Sequence, residues 1–290
     1  MSGSPLTIRV AILGGGIAGA ALLRGLLRHS HIAVDIYEAR PSFREEGQAV
    51  TLTPAAEDIL HKLDPSLDDC LDRADAVYSS TEIRIASGPY AGHNVDYPAL
   101  RAHRQRTVGR QKFLDELLRG TPPRMIHPNS RISSITELPN AGGLMLIFAD
   151  GSQKKYDVVI GADGVHGITR EFVLGANDPA LRPTHTGVWG LPIKVPLERA
   201  QAIMGPEYLD PNRPCQSVWI GDGTLLEHDS MSDGKEVHIT AYASHDEQTD
   251  DAPWARLLTP DEFGAVFANN ELPVCRGMVN VSRLGPLATR

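Results

Sequence analysis

Cysteine is scarce in this 290-residue chain: Cys70, Cys215 and Cys275 are three in number, far apart, and form no C-x-x-C pair. An odd, dispersed set builds no disulfide framework and fits a reducing compartment, so a cytoplasmic location is expected. Metal-ligand patterns are missing as well. The eleven histidines include no H-E-x-x-H and no Cys/His ligand spacing, so no metal site is expected. No apolar run reaches the ~20 residues needed to span a bilayer. The best candidate, Val10–Leu23, is interrupted by Gly14-Gly15-Gly16 and has little basic lead-in beyond Arg9, which argues against a signal peptide too. Positive charge is in deficit: 28 Lys and Arg face 36 Asp and Glu, a net charge of −8. That balance disfavours a nucleic-acid or anionic-membrane partner.

What is present is ordinary globular usage, with 41 % apolar and 22 % charged residues. At about 100–200 residues per domain, the length suits one large domain or two intimate ones, enough for a sizeable core.

The first sixty residues are the most informative. Ile8–Leu13 reads as a short apolar strand. Gly14-Gly15-Gly16-Ile17-Ala18-Gly19 follows, a G-x-G-x-x-G, and Ala20–Leu27 then has leucines at helical spacing. His31–Tyr37 is a second strand with Ile32, Val34 and Ile36 alternating, and Glu38 ends it. The glycine pattern alone is weak; strand, glycine turn, helix, strand and terminal acid in order within ~30 residues form a dinucleotide-binding fingerprint. Gly14 permits a tight turn, Gly16 lets the backbone approach a pyrophosphate, and Gly19 lets helix and strand pack closely. The helix N-terminus offers N–H groups to phosphate. Glu38 accepts hydrogen bonds from a ribose diol and would repel a 2′-phosphate, so the nucleotide here is expected to be FAD or NAD and not NADP. A β-α-β unit without ligand is the bland alternative.

Glu38 is followed by Ala39–Phe43, Gly47-Gln48-Ala49, the extended Val50–Thr53, Pro54 and a helix over Ala55–Leu63. This order resembles the FAD-dependent monooxygenases of the salicylate hydroxylase and para-hydroxybenzoate hydroxylase group. That family's loop usually reads Gly-Ala-Gly; here Ala49 stands in the second glycine's place, where the resemblance puts backbone against the flavin nucleotide. Val108–Leu118 resembles the family's Arg-led helix, and the resemblance implies that Arg110 binds FAD. Gly161-Ala162-Asp163-Gly164 after the strand Val158–Ile160 resembles the Asp-Gly fingerprint associated with FAD and reduced nicotinamide, with Gly167 replacing the usual serine. The preceding strands are expected at Leu144–Phe148 and Gln153–Tyr156, joined by a turn at Asp150-Gly151.

The resemblance implies an α/β fold: a Rossmann-type FAD-binding domain over 1–180, with a substrate-domain excursion near 79–105, and a smaller antiparallel-sheet substrate domain over 181–290. Strands are expected at Gly187–Val195, Gln216–Ile220, Thr224–Glu227 and Val237–Ala243, with a hairpin turn at Asp222-Gly223. Trp189, Trp219 and Tyr242 could floor an aromatic pocket, or could be plain core aromatics. The family's later Gly-Asp motif is not found. Gly221-Asp222 reads as the hairpin turn and Leu284–Leu287 as irregular, so a return to the FAD domain is expected to be lacking by Arg290. The positions matching a substrate-domain arginine and tyrosine of some relatives hold Pro192 and His228, with Lys194 nearby, and no catalytic residue is assigned.

The implied activity is hydroxylation of an aromatic or polyketide-like small molecule by an FAD-dependent monooxygenase, with NAD(P)H as co-substrate and O2, in secondary metabolism. Alternatives are a catalytically impaired remnant of such a flavoprotein and an NAD-dependent dehydrogenase.

Overall fold

The structure is a computed structural model that describes residues 7–44, 49–96, 105–140, 142–184, 186–210, 215–230, 235–244, 256–270, 272–282 and 288–289. The expected loop residues Gly47 and Gln48 and the segment Leu284–Leu287 lie outside the described residues. The chain divides into two compact units. The first comprises 1–46, 58–74 and 110–183; the second comprises 47–57, 75–109 and 184–290. Because two earlier segments join 184–290, the second unit is not the smaller of the two.

The first unit is built on parallel strands. β1 (Ile8–Leu13), β2 (Ile32–Tyr37), β6 (Ile126–His127) and β10 (Val158–Gly161) form a sheet in the order β10-β1-β2-β6. All its neighbours run parallel. The helix Ile17–Leu27 connects β1 to β2. It buries Leu23 with Val10, Ile12, Val34 and Ile36. Alternation explains the two faces of β2. Val34 and Ile36 point to that core, while Asp35 and Tyr37 point to the opposite face.

The opposite face receives an antiparallel meander of β7 (Ile132–Glu137), β8 (Leu144–Phe148) and β9 (Gln153–Tyr156). Leu146, Phe148 and Tyr156 pack there on Ala11, Leu13 and Tyr37. A polar chain fixes the join. The Tyr156 hydroxyl donates to Asp35 Oδ2 at 2.7 Å and lies 2.5 Å from the Tyr37 hydroxyl. Asp35 Oδ1 meets His127 Nε2 at 2.8 Å, and Lys154 Nζ donates to the Tyr37 hydroxyl at 3.1 Å. Burial and these partners push the Tyr156 phenol well above its ordinary pKa.

The second unit centres on a seven-stranded sheet, in the order β11-β14-β13-β12-β4-β5-β3. Its strands are β3 (Ala49–Leu52), β4 (Val77–Ile85), β5 (Gln105–Gly109), β11 (Val188–Pro196), β12 (Cys215–Ile220), β13 (Thr224–Ser230) and β14 (Glu236–Ser244). All pairs are antiparallel except β12 with β4. Helices Leu197–Met204, Pro260–Val266 and Pro273–Ser282 cover one face. There Leu191, Trp219, Leu226, Ile239 and Ala241 pack with Met204, Phe263, Val274 and Met278. Mixed α/β architecture with a parallel and several antiparallel sheets is thus the fold. Among the described residues no helix is long and apolar enough to cross a membrane.

Candidate dinucleotide site and polar sheet face

Parallel strands aim their carboxyl ends the same way, and the first unit places its expected ligand residues at three such ends. The glycine turn follows β1, Glu38 follows β2, and Asp163 lies two residues beyond β10. Since β1 lies between the other two, Gly14, Glu38 and Asp163 come to one edge of the sheet.

Each glycine of the turn has a separate physical reason. Gly14 has φ +110°, and a Cβ there would lie 2.1 Å from the Ala162 carbonyl oxygen. It is needed for both backbone conformation and the approach of the β10 loop. A Cβ at Gly19 would meet the Gly14 carbonyl oxygen at 2.0 Å, which is the close helix–strand packing expected of the third glycine. Gly16 is the N-cap of the helix, with φ −76° and ψ −176° and no side-chain cap. Any residue adopts that backbone, so a need for glycine at Gly16 comes from what approaches it.

Glu38 is half-buried and already anchored. Its Oε2 accepts the Gly15 N–H at 2.9 Å and its Oε1 accepts the Arg40 N–H at 2.8 Å. Two carboxylate oxygens carry about four lone-pair positions, so room remains for ribose hydroxyls. The turn, with its close backbone approaches, and this fixed acid fit the adenosine diphosphate half of FAD.

Asp163 does something the sequence did not disclose. Its Oδ2 accepts the Thr169 N–H at 3.1 Å and its Oδ1 accepts the Thr169 hydroxyl at 2.5 Å. The carboxylate thus holds the start of the helix Thr169–Leu174. A Cβ at Gly167 would sit 2.1–2.4 Å from that carboxylate, so glycine in place of the family's serine is what lets Asp163 turn inward. The Asp163 backbone N, in contrast, borders the Gly14 turn.

Ala49 and Arg110 are placed by two successive elements. Ala49 of β3 is the register partner of Gly109 in β5, and Arg110 is the next residue, half-buried at the start of its helix. Phe43, Gly15 and Thr169 were not singled out from the sequence. Gly15 filled a variable position of the motif, and the other two act through contacts that no local pattern announces.

In the second unit, strand parity sorts the expected aromatics onto opposite faces. Trp219 is register partner of Leu226, itself partner of Ala241, and Trp189 is partner of Ala243. Both tryptophans therefore face the helices, and Trp189 packs at 6.1 Å from the Phe267 ring. Tyr242 has the other parity, so the three do not make one floor. His228 also faces the helices, fully buried with neither ring nitrogen hydrogen-bonded. Burial, with the Arg84 charge adding, lowers its pKa to about 4, so it is neutral at neutral pH. Pro192 and Lys194 are exposed on the other face.

The face opposite the helices is polar. Tyr242 lies over Gly190, where a Cβ would meet the ring at 3.0 Å. Glu227 Oε1 accepts from Gln216 Nε2 at 2.7 Å, and Gln216 Oε1 accepts from the Thr81 hydroxyl at 3.0 Å. Asp229, beside Glu227 on the same face, is buried, and that burial and the neighbouring carboxylate raise its pKa to about 8. Asp229 thus carries its proton at neutral pH. Among the described residues no cluster has the makings of a metal site.

Comparison with known proteins adds descent to this geometry. No family model matches the chain. It is 31 % identical over 258 residues to the 6-methylsalicylate 1-monooxygenase atA of Aspergillus terreus, covering 86 % of this chain and 57 % of that protein. It is 28 % identical over 283 residues to a salicylate hydroxylase of Pseudomonas putida, covering 92 % of this chain and 63 % of that protein. The chain belongs with the FAD-dependent monooxygenases of the salicylate hydroxylase group. A salicylate hydroxylase–substrate complex superimposes with a TM-score of 0.74 at 24 % identity, covering 99 % of this chain and 68 % of that one. CtdE in complex with FAD does so with 0.75 at 19 % identity, covering 98 % and 71 %. At these identities the solved structures speak for the fold alone. The chain spans about half the length of the curated relatives it matches.

Proposed function

We propose that this chain serves an FAD-dependent monooxygenase that hydroxylates an aromatic or polyketide-like small molecule with NAD(P)H and O2, in the cytoplasm and in secondary metabolism. The observation that carries the reading is the convergence of the Gly14–Gly19 turn, Glu38 and the Asp163 loop at the carboxyl ends of β1, β2 and β10. The similarity to atA, whose name states action on 6-methylsalicylate, supports the substrate class.

FAD, once reduced by NAD(P)H, supplies the activation of O2 and the delivery of one oxygen atom to an electron-rich ring. The chain's own residues do the binding. The turn at Gly14, Gly16 and Gly19 takes the pyrophosphate and Glu38 takes the ribose diol. Ala49 and Arg110 are each assigned to the flavin nucleotide by the family resemblance. The Asp163 loop lines the turn with its backbone while its carboxylate stays on Thr169. On the polar sheet face the Tyr242 ring offers stacking surface. The Glu227–Asp229 pair and Gln216 offer hydrogen bonds that orient hydroxyl or carbonyl groups.

The test is spectroscopic and then kinetic. The purified protein is expected to take up FAD with flavin absorption bands, and to oxidise NADH or NADPH faster when salicylate or 6-methylsalicylate is added. A protein that binds NAD but no flavin would overturn the reading in favour of a dehydrogenase. One that binds neither would favour a remnant.

A further inference from the structure

Gly15 has no positive φ to explain it; its reason is a neighbour. A Cβ at Gly15 would lie 2.5 Å from both Cδ1 and Cε1 of Phe43 and 3.0 Å from Cβ of Glu38. The Phe43 ring therefore occupies the space that a side chain at position 15 would take. It reaches there from the segment after β2, half-buried, packed against the cluster of Val10, Ile12, Leu23, Val34 and Ile36.

The same small region holds the Glu38 head. One carboxylate oxygen accepts the Gly15 N–H and the other accepts the Arg40 N–H. The start of the segment is tied down as well. The Asn129 N–H donates to the Arg40 carbonyl at 2.7 Å, and the Ser130 N–H donates to the Glu38 carbonyl at 2.7 Å. Phe43 thus closes a three-part unit in which a ring covers a glycine whose N–H is held by the Glu38 carboxylate. Without the ring, the Gly15 peptide loses its cover, and the Glu38 carboxylate loses the fixed position of the N–H it accepts. Both raise the ordering cost of receiving a ligand at this edge.

We propose that Phe43 is a positioning residue for the adenosine diphosphate half of a dinucleotide, acting by locking Gly15 and Glu38 in their receiving geometry. The inference rests on the dinucleotide reading given above and goes beyond it in assigning a specific steric partner to the turn. FAD and NAD share this half, so the chemistry recognised is adenosine diphosphate.

Calorimetric titration of the full chain with FAD, NAD, ADP and FMN tests it. Phe43→Ala is expected to weaken ADP and the dinucleotide that binds by one common factor of about tenfold, through lost preorganisation. FMN, which lacks the adenylate half, is unaffected. Phe43→Leu, which refills the space, stays within about threefold of the parent. Gly15→Ala pushes the ring away and weakens binding comparably. The double variant Gly15→Ala/Phe43→Ala binds no more weakly than Phe43→Ala alone, because the methyl then has room. Should Phe43→Ala fail to fold by far-ultraviolet circular dichroism, Gly15→Ala decides alone: a common loss for ADP and FAD supports the proposal and parent-like ADP affinity overturns it.

Parent-like ADP affinity in Phe43→Ala would overturn the proposal, as would additive losses in the double variant or a loss for FAD with none for ADP. A parent protein that binds none of FAD, NAD and ADP would overturn the dinucleotide reading itself. Normal parent affinity with unaltered variants would overturn only the role of Phe43.

Discussion

The glycine turn of the first unit and the polar sheet face of the second are both assembled from strands, but at different ranges of sequence. Around the turn, Gly14, Gly15, Gly19 and Glu38 fall within 25 residues, and the contacts are backbone on backbone: Gly14 on Ala162, Gly19 on Gly14. On the sheet face, Tyr242, Glu227, Gln216 and Thr81 come from four strands spread over 160 residues, and whether they meet depends on parity alone. A one-residue slip in β13 would send Glu227 and Asp229 to the helices and bring His228 to the polar face. The first site is thus defined by absent side chains, the second by register. The two should break in different ways.

The largest effect is expected at Gly14. Gly14→Val combines positive φ with a clash on the Ala162 carbonyl and should cost about 4 kcal/mol or more of stability. Urea unfolding followed by circular dichroism checks it, and a parent-like midpoint would deny the turn its steric reason.

The register side is tested by pH. The His228 pKa falls to about 4 in the fold, against about 6.5 when unfolded. Between these values the unfolded chain binds the extra proton, so stability rises with pH through the window and is lost as pH falls through 6.5 toward 4. The His228 contribution alone should be about 2 kcal/mol lower at pH 5 than at pH 8. Asp229, with its pKa raised to about 8 from 3.8, has the opposite sign: its contribution falls as pH rises from 4 to 8. His228→Leu should gain stability relative to the parent as pH falls below about 6.5 and show a constant difference from it on the alkaline side. Thermal unfolding of both proteins from pH 4.5 to 8 decides it, and parallel curves would place His228 outside the core.

A smaller change is expected at Thr169. Thr169→Val keeps the shape and the N–H but removes the hydroxyl that Asp163 accepts, a cost of about 1 kcal/mol, readable as a lower melting temperature. The smallest is Gly190→Ala, where the Tyr242 ring must shift by a few tenths of an ångström at a cost under about 1 kcal/mol. Its melting temperature should barely move.

These contrasts also say what the sequence could disclose. Strands Ile8–Leu13 and Leu144–Phe148 are legible because apolar runs between glycines or turns have few other uses. The β1–helix–β2 unit is legible because three glycines and a terminal acid each answer a local steric or hydrogen-bonding need. The helices at 197–204, 260–266 and 273–282 gave less away, since their apolar faces are short and the last two are interrupted by Gly264 and Gly277. The division of Trp189 and Trp219 from Tyr242 was hidden because the face that residues of different strands share is set by their pairing register, which no local pattern carries. The inward turn of Asp163 was hidden because its cause, Gly167, signals only as an empty position.

The most direct measurement is an FAD titration of the parent protein beside Gly16→Val, followed by flavin fluorescence. Gly16 has an ordinary backbone conformation, so valine there should cost only the ~1 kcal/mol of a poorer N-cap and leave the chain folded, while its side chain fills the space that the pyrophosphate would take. Saturable FAD binding by the parent and none by an equally folded Gly16→Val is the predicted result. Equal FAD affinity in the two proteins would contradict the placement of the dinucleotide at this turn.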